Sequence, residues 1–201
     1  MTSKGVQKVR KSRGQRLVRL ILSTLDPRAW AHFIKVMNFY NYNHVQELRK
    51  AQVARTANIA PNAGFANAQN LEIGENVTIG AYCQLSAGPG RARVVVGRDA
   101  LFAPDVMVTA TSYRYDEGAP VTDQAMDEAD VIIGADCWIG RGVTILGGTT
   151  LGTGCIVAAH SVVRGEFSAY AIIAGTPAKV VGARKSPDGR APDAPAQTGG
   201  S

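Results

Sequence analysis

Residues 131–163 read VIIGADCWIG RGVTILGGTT LGTGCIVAAH SVV, and within them a large aliphatic residue returns every six positions. The series is Ile133, Ile139, Ile145, Leu151, Val157 and Val163. A small residue often follows directly, as in Ile133-Gly134, Ile139-Gly140, Leu151-Gly152 and Val157-Ala158. A period of six is neither the 3.6 of a helix nor the two of a strand. It marks a repeat array, which decides the fold ahead of any local propensity.

Working outward, the same phase holds in Ile73-Gly74, Ile79-Gly80 and Leu85-Ser86, and resumes at Val96-Gly97, Phe102-Ala103 and Val108-Thr109. Ile59 and Phe65 read as a ragged first rung, so the array is expected from about Ile59 to Val163, interrupted at Ser112–Asp130. Six residues supply one short strand and one turn, and three such units close a triangular coil. Coils stack at the parallel-strand spacing of about 4.8 Å, and each buries its inner face only against its neighbours. The aliphatic residue points inward, and the small residue after it is expected to let the backbone bend at the corner. Four positions after each aliphatic, a second inward site should hold something small. Val77, Cys83, Cys137, Val143, Thr149, Cys155 and Ser161 occupy it. The three cysteines are therefore read as small buried hydrophobes. They form no CxxC pair, so neither a disulfide framework nor a zinc site is indicated.

The ends lack the phase. Residues 1–13 form a basic lead, residues 14–50 a helical segment, and residues 51–184 the coil with its excursion loop 112–130. Residues 185–201, rich in Pro, Ala and Gly, read as a disordered tail. In the helical segment Leu17, Leu20, Ile21, Leu25, Phe33, Ile34 and Met37 give an amphipathic pattern interrupted near Pro27, expected to cap the coil's open strand edges. The net charge of the chain is +6, and Lys4, Lys8, Arg10, Lys11, Arg13, Arg16 and Arg19 crowd the amino end with no acid among them. Such a run is either a solvated lead or a footprint for an anionic partner. No nucleic-acid motif accompanies it, which leaves peripheral contact with a membrane as the specific alternative. The apolar run Leu17–Leu25 is broken by Arg19 and falls short of the roughly 20 residues that span a bilayer. It also lacks a cleavage site, so the chain is expected in the cytoplasm.

The run Asp130-Val131-Ile132-Ile133-Gly134-Ala135-Asp136-Cys137-Trp138-Ile139-Gly140 resembles the signature of hexapeptide-repeat acyltransferases. Ala174-Gly175-Thr176-Pro177-Ala178-Lys179-Val180-Val181 resembles their closing motif, and residues 56–184 are similar to the sugar and polysaccharide O-acetyltransferase branch. The resemblance implies an all-β, left-handed parallel β-helix, an exception to the right-handed crossover rule. It also implies a homotrimer with sites between subunits, an acetyl-CoA or other acyl-CoA donor, no metal, and a small-molecule or glycan acceptor. Carried over by motif, Trp138 flanks the donor channel and Arg141 meets the pantetheine. Ala159 offers its backbone to the same arm, while Arg164 and Lys179 lie along the donor path, Lys179 toward the CoA phosphates. Gly165 departs from the pattern, where the family often has a second basic residue.

In the resembling family the excursion loop carries a histidine that takes the acceptor's proton. Here the loop reads Thr111-Ser112-Tyr113-Arg114-Tyr115-Asp116, and Tyr113 stands in the histidine's place. Tyrosine as a residue type titrates near about 10 and is a poor base at neutral pH. Tyr113 and Asp116 are the loop's catalytic candidates, with the aspartate either accepting the proton or positioning the acceptor. His160, on an outward position of the array, is the other basic candidate, and His32 and His44 lie in the helical segment. The expected activity is acyl transfer to a sugar hydroxyl. Two alternatives remain, an amino-sugar N-acyltransferase, whose amine is already nucleophilic, and a catalytically silent trimeric scaffold that binds CoA or glycan.

Overall fold

Each six-residue unit folds into a strand of two or three residues followed by a tight turn, and three units make one circuit of a prism. A computed structural model describes residues 11–186. Most of the expected basic lead and disordered tail therefore lies outside the described residues. Strands of one face pair in parallel along the prism. The first face runs Gln52–Val53, Leu71–Ile73, Val94–Val96, Val131–Ile133, Thr149–Leu151 and Glu166–Phe167. The second runs Asn58–Ile59, Thr78–Ile79, Leu101–Phe102, Trp138–Ile139, Ile156–Val157 and Ala171–Gly175, with Ala178–Ala183 added antiparallel. The third holds Gly64–Ala66, Gln84–Ser86, Met107–Thr109, Thr144–Ile145 and Val162–Val163. This is the left-handed parallel β-helix that the resemblance implied.

The array is longer than its clearest phase suggested. Val53, Ile59 and Phe65 form a true first coil, and Phe167 and Ile173 continue the series past Val163. The periodic aliphatics from Ile73 to Val163 are buried, and so are all seven residues of the second inward position. The polar ones among them are satisfied. Thr149 Oγ1 donates to the Leu146 carbonyl, Ser161 Oγ donates to the Ala158 carbonyl, and the same Ser161 oxygen accepts the Gly175 N–H. Cys83, Cys137 and Cys155 are buried free thiols whose sulfurs lie 3.2–3.3 Å from carbonyls of the neighbouring turn. Burial pushes the Cys83 thiol up, and the adjoining Cys155 together with burial pushes that of Cys137 up as well. Cys83 and Cys137 are inert filling, while the hydrogen bond from the Cys137 side chain holds the Cys155 thiol below its ordinary value.

The small residue after each aliphatic has a different cause from the one expected. Gly97 and Gly140 do not adopt left-handed backbone. A Cβ on Gly97 would lie 2.6 Å from the Ala135 nitrogen, and one on Gly140 2.6 Å from the Ala159 nitrogen. Close stacking of the next coil excludes a side chain there. The bending is done two residues later, where Asn76, Asp99, Asp105 and Asp136 take positive φ, a conformation Asn and Asp tolerate best after glycine.

Spacing along the chain separates the three corners. From first to second face and from second to third, consecutive aliphatics are always six apart. From third to first they are eight apart at Phe65–Ile73, eleven at Leu85–Val96, twenty-five at Val108–Ile133, six at Ile145–Leu151 and four at Val163–Phe167. Extra chain therefore leaves the prism along a single edge.

The described chain divides into two compact units, one ending at Phe39 and the other beginning at Tyr40. In the first, helix α1 (Arg13–Leu25) is capped by Ser12, which exchanges hydrogen bonds with Gln15, and α2 (Pro27–Tyr40) starts with proline after Asp26. Within the second unit, a helical turn at Asn41–Leu48 closes the start of the coil. His44 Nδ1 lies 2.7 Å from the Ala63 carbonyl with its ring against Phe65, and Glu47 accepts the Ala68 N–H at 3.0 Å. Burial pushes the Glu47 carboxyl up, but Lys50 and the Ala68 N–H outweigh it and hold the group below its ordinary value. Among the described residues no helix is long and apolar enough to cross a membrane.

Candidate functional site

The second-to-third corner carries Arg141 and Ala159, two of the five residues matched to donor binding, with Trp138 on the second face just before it. Trp138 leaves the second face between Leu101 of the coil before and Ile156 of the coil after, and remains 52% exposed. An exposed indole flanked in register by two aliphatic residues can cover a narrow, partly apolar ligand. Three residues on, Arg141 opens the corner turn. The Ala159 nitrogen approaches Gly140, and His160 N–H donates to the Arg141 carbonyl at 2.9 Å. One coil further, Thr176 of the closing motif donates to the His160 carbonyl at 3.4 Å. Arg141, Ala159, His160 and Thr176 thus form one ladder of exposed turns on successive coils.

Charge on this ladder is ordered. The Arg141 guanidinium is held by Asp105 of the preceding coil, with Nη2 at 2.8 Å and Nε at 2.9 Å from Oδ2. The imidazole of His160, a residue with φ of 58°, lies over Gly142, where a Cβ would meet Nδ1 at 2.6 Å. That glycine gives the ring its resting place. Lys179 is exposed on the last strand, paired with Ala174, and Arg164 is exposed after Val163 on the third-to-first corner. The structure therefore gathers Arg141 and Ala159 with Trp138 nearby, and sets Arg164 apart on another edge.

The excursion loop leaves from that other edge. Thr111–Tyr113 pairs antiparallel with Met126–Glu128, and Ala129 N–H donates to the Ala110 carbonyl to close the base. Tyr113 faces Met126 in the ladder and is 49% exposed, and Asp116 is exposed beyond it. The third face, with Met107, Thr144 and Val162 in its outer column, separates this edge from the Arg141 ladder. Within one chain, Tyr113 and Asp116 lie on one side of that face and Arg141 and Ala159 on the other. His44, a basic candidate of the helical segment, is committed to the first coil.

Several residues that shape the loop carried no signal in the sequence. Glu128 accepts the N–H groups of Gly90, Arg91 and Ala92 at 2.7, 2.8 and 3.2 Å, and these bonds hold its carboxyl below the ordinary range. Asp130 accepts Arg93 N–H at 2.7 Å. Inside the loop, buried Gln124 accepts Glu117 N–H and donates to the Ala119 carbonyl, and Arg114 bridges Asp127 and Glu117. Only the Gly88-Pro89-Gly90 turn hinted that an anchor point lay upstream.

Residues 130–165 match the family described as bacterial transferase hexapeptide (six repeats). The chain is 33% identical to the "putative lipopolysaccharide biosynthesis O-acetyl transferase WbbJ" of Escherichia coli (strain K12), over 53% of this chain and 57% of that protein. It is 30% identical to the "putative acetyltransferase YJL218W" of Saccharomyces cerevisiae (strain ATCC 204508 / S288c), over 74% of this chain and 78% of that protein. A solved structure of a galactoside acetyltransferase in complex with coenzyme A shares the fold with a TM-score of 0.60 at 24% identity, over 78% of this chain and 81% of that one. The chain spans about half the length of the curated relatives it matches first. A six-residue spacing that recurs in every coil, with a relative matched over most of both lengths, places the chain in the hexapeptide-repeat acyltransferase family.

Proposed function

We propose that the chain moves an acetyl or other acyl group from acyl-CoA to a hydroxyl of a sugar or polysaccharide precursor. The observation that carries this reading is the ladder of Arg141, Ala159, His160 and Thr176 beside the exposed Trp138. Successive turns leave backbone and cationic groups along a line, which suits a long, flexible donor arm ending in phosphates. The similarity to a protein named as an O-acetyl transferase of lipopolysaccharide biosynthesis supports a glycan acceptor.

The reaction joins the acceptor oxygen to the thioester carbonyl, expels CoA as the thiolate, and passes the hydroxyl proton to a base. In this reading Trp138 and Arg141 hold the pantetheine, the Ala159 backbone lines its path, and Arg164 and Lys179 neutralise phosphate. Tyr113 donates a hydrogen bond that orients the acceptor, and Asp116 accepts the proton. Because Tyr113 and Arg141 flank opposite edges of one face, a complete site needs the loop of one subunit beside the ladder of the next. A homotrimer supplies that juxtaposition, and an acyl-CoA donor places the reaction in the cytoplasm.

The test is incubation of the pure protein with acetyl-CoA and a panel of sugars and amino-sugars, following free thiol, with solution mass measured in parallel. Acceptor-dependent thiol release from sugars is expected, at a mass three times that of one chain. Release with amino-sugars alone would favour the N-acyl reading, for which Tyr113 in the histidine's place is the motivating observation. CoA binding without turnover would leave a silent scaffold.

A further inference from the structure

The helices α1 and α2 of the amino-terminal unit take no part in the chemistry above. At 100° per residue, α1 turns Leu17, Val18, Ile21, Leu22 and Leu25 into an arc of about 140°, with Arg16, Arg19 and Ser23 opposite. In α2, Trp30, Phe33, Ile34 and Met37 share one side, with Arg28, His32 and Lys35 on the other. All nine apolar side chains are between 51 and 72% exposed. An apolar surface of this extent marks a binding face.

Charge identifies what covers it. Residues 11–40 hold six basic side chains and a single acid. That acid, Asp26, is occupied in capping α2, where its Oδ1 accepts Arg28 N–H at 2.8 Å. A second copy of the same unit would set six like charges against six. An anionic bilayer instead offers hydrocarbon to the apolar arcs and phosphates to the cations. Trp30 is already suited to such an interface. Its indole N–H donates to the Thr24 carbonyl at 2.8 Å while its ring stays open. Helices of 13 and 14 residues reach about 20 Å and lie along a membrane rather than across it.

We propose that residues 11–40 are an interfacial anchor that lays the protein on an anionic lipid surface. The experiment is sedimentation of the full chain with phosphatidylcholine vesicles, with and without about 30% phosphatidylglycerol. Binding to the anionic vesicles is expected, weakening about tenfold or more in high salt or on the neutral vesicles. Arg16→Gln with Arg19→Gln should weaken it about 25-fold, at roughly fivefold per charge. Ile21→Glu with Phe33→Glu should abolish it. Both pairs lie on exposed helix faces, so circular dichroism and thiol release should be unchanged, which separates this proposal from the acyltransferase reading. No anionic-vesicle binding, or equal binding to neutral vesicles at all salts, overturns the anchor. A fall in solution mass for the Ile21→Glu and Phe33→Glu pair, with no lipid binding by the parent chain, would assign the face to a second copy.

Discussion

Arg141 closes on Asp105 across two coils, both nitrogens reaching one carboxylate oxygen at 2.8 and 2.9 Å. The pair is exposed, so its worth to stability is about 0–1 kcal/mol. Its consequence is positional, since it fixes the guanidinium beside the corner ladder. Asp105→Asn keeps a residue that tolerates positive φ and releases the arginine. It should raise the KM for acyl-CoA about threefold with kcat nearly unchanged, and Arg141→Ala should raise it about tenfold. Steady-state kinetics with varied donor will check both. A fall in kcat at constant KM would show that Arg141 does not hold the donor.

Tyr113→Phe removes one hydroxyl from an exposed loop position without disturbing the hairpin. Loss of an orienting hydrogen bond should lower kcat at least about tenfold, with CoA affinity by calorimetry unaltered. Tyr113→His should instead raise the rate if proton removal limits turnover. Parent rates from Tyr113→Phe would remove Tyr113 from the chemistry.

Glu128 ties the excursion loop to residues 90–92, and its carboxyl is held below the ordinary 4.5 by the Arg91, Gly90 and Ala92 N–H groups. A lowered folded-state value means that the stabilisation is complete above 4.5. It disappears as pH falls through that lowered value. Hydrogen exchange at Gly90, Arg91 and Ala92, corrected for the intrinsic pH effect, should therefore accelerate in acid below 4.5. Glu128→Gln should show the faster exchange already at neutral pH, and parent-like protection in that variant would deny the anchor.

Two glycines offer opposite outcomes for the same substitution. Gly97→Ala places a Cβ 2.6 Å from the backbone of the next coil and should cost about 1–3 kcal/mol. Gly14→Ala meets nothing within 4 Å on α1 and should strengthen that helix by about 1 kcal/mol. Thermal unfolding followed by far-ultraviolet dichroism will read both.

The coil was legible from Ile133, Ile139 and Ile145 because one period governs burial, strand and turn together. What the period did not carry was the cause of each small residue. Gly97 and Gly140 answer to the coil above them, a neighbour some nineteen to thirty-eight positions away. Loop anchorage was hidden for the same reason, since Glu128 and Gly90 lie 38 residues apart and meet only after the prism closes. Trp138, Arg141 and Ala159 could be named because they occupy fixed places in the repeat. Tyr113 and Asp116 stand where the repeat is suspended, so no rung fixes their place relative to Arg141.

The confinement of extra residues to the third-to-first edge bears on how such a protein can change over generations. Along the other two edges any inserted residue would throw every later rung out of register. Along this one, lengths of eight, eleven and twenty-five are accommodated with the rungs above and below undisturbed. Selection can rewrite the segment between Val108 and Ile133 as a replaceable cassette, while the rungs that carry Trp138, Arg141 and Ala159 are inherited intact.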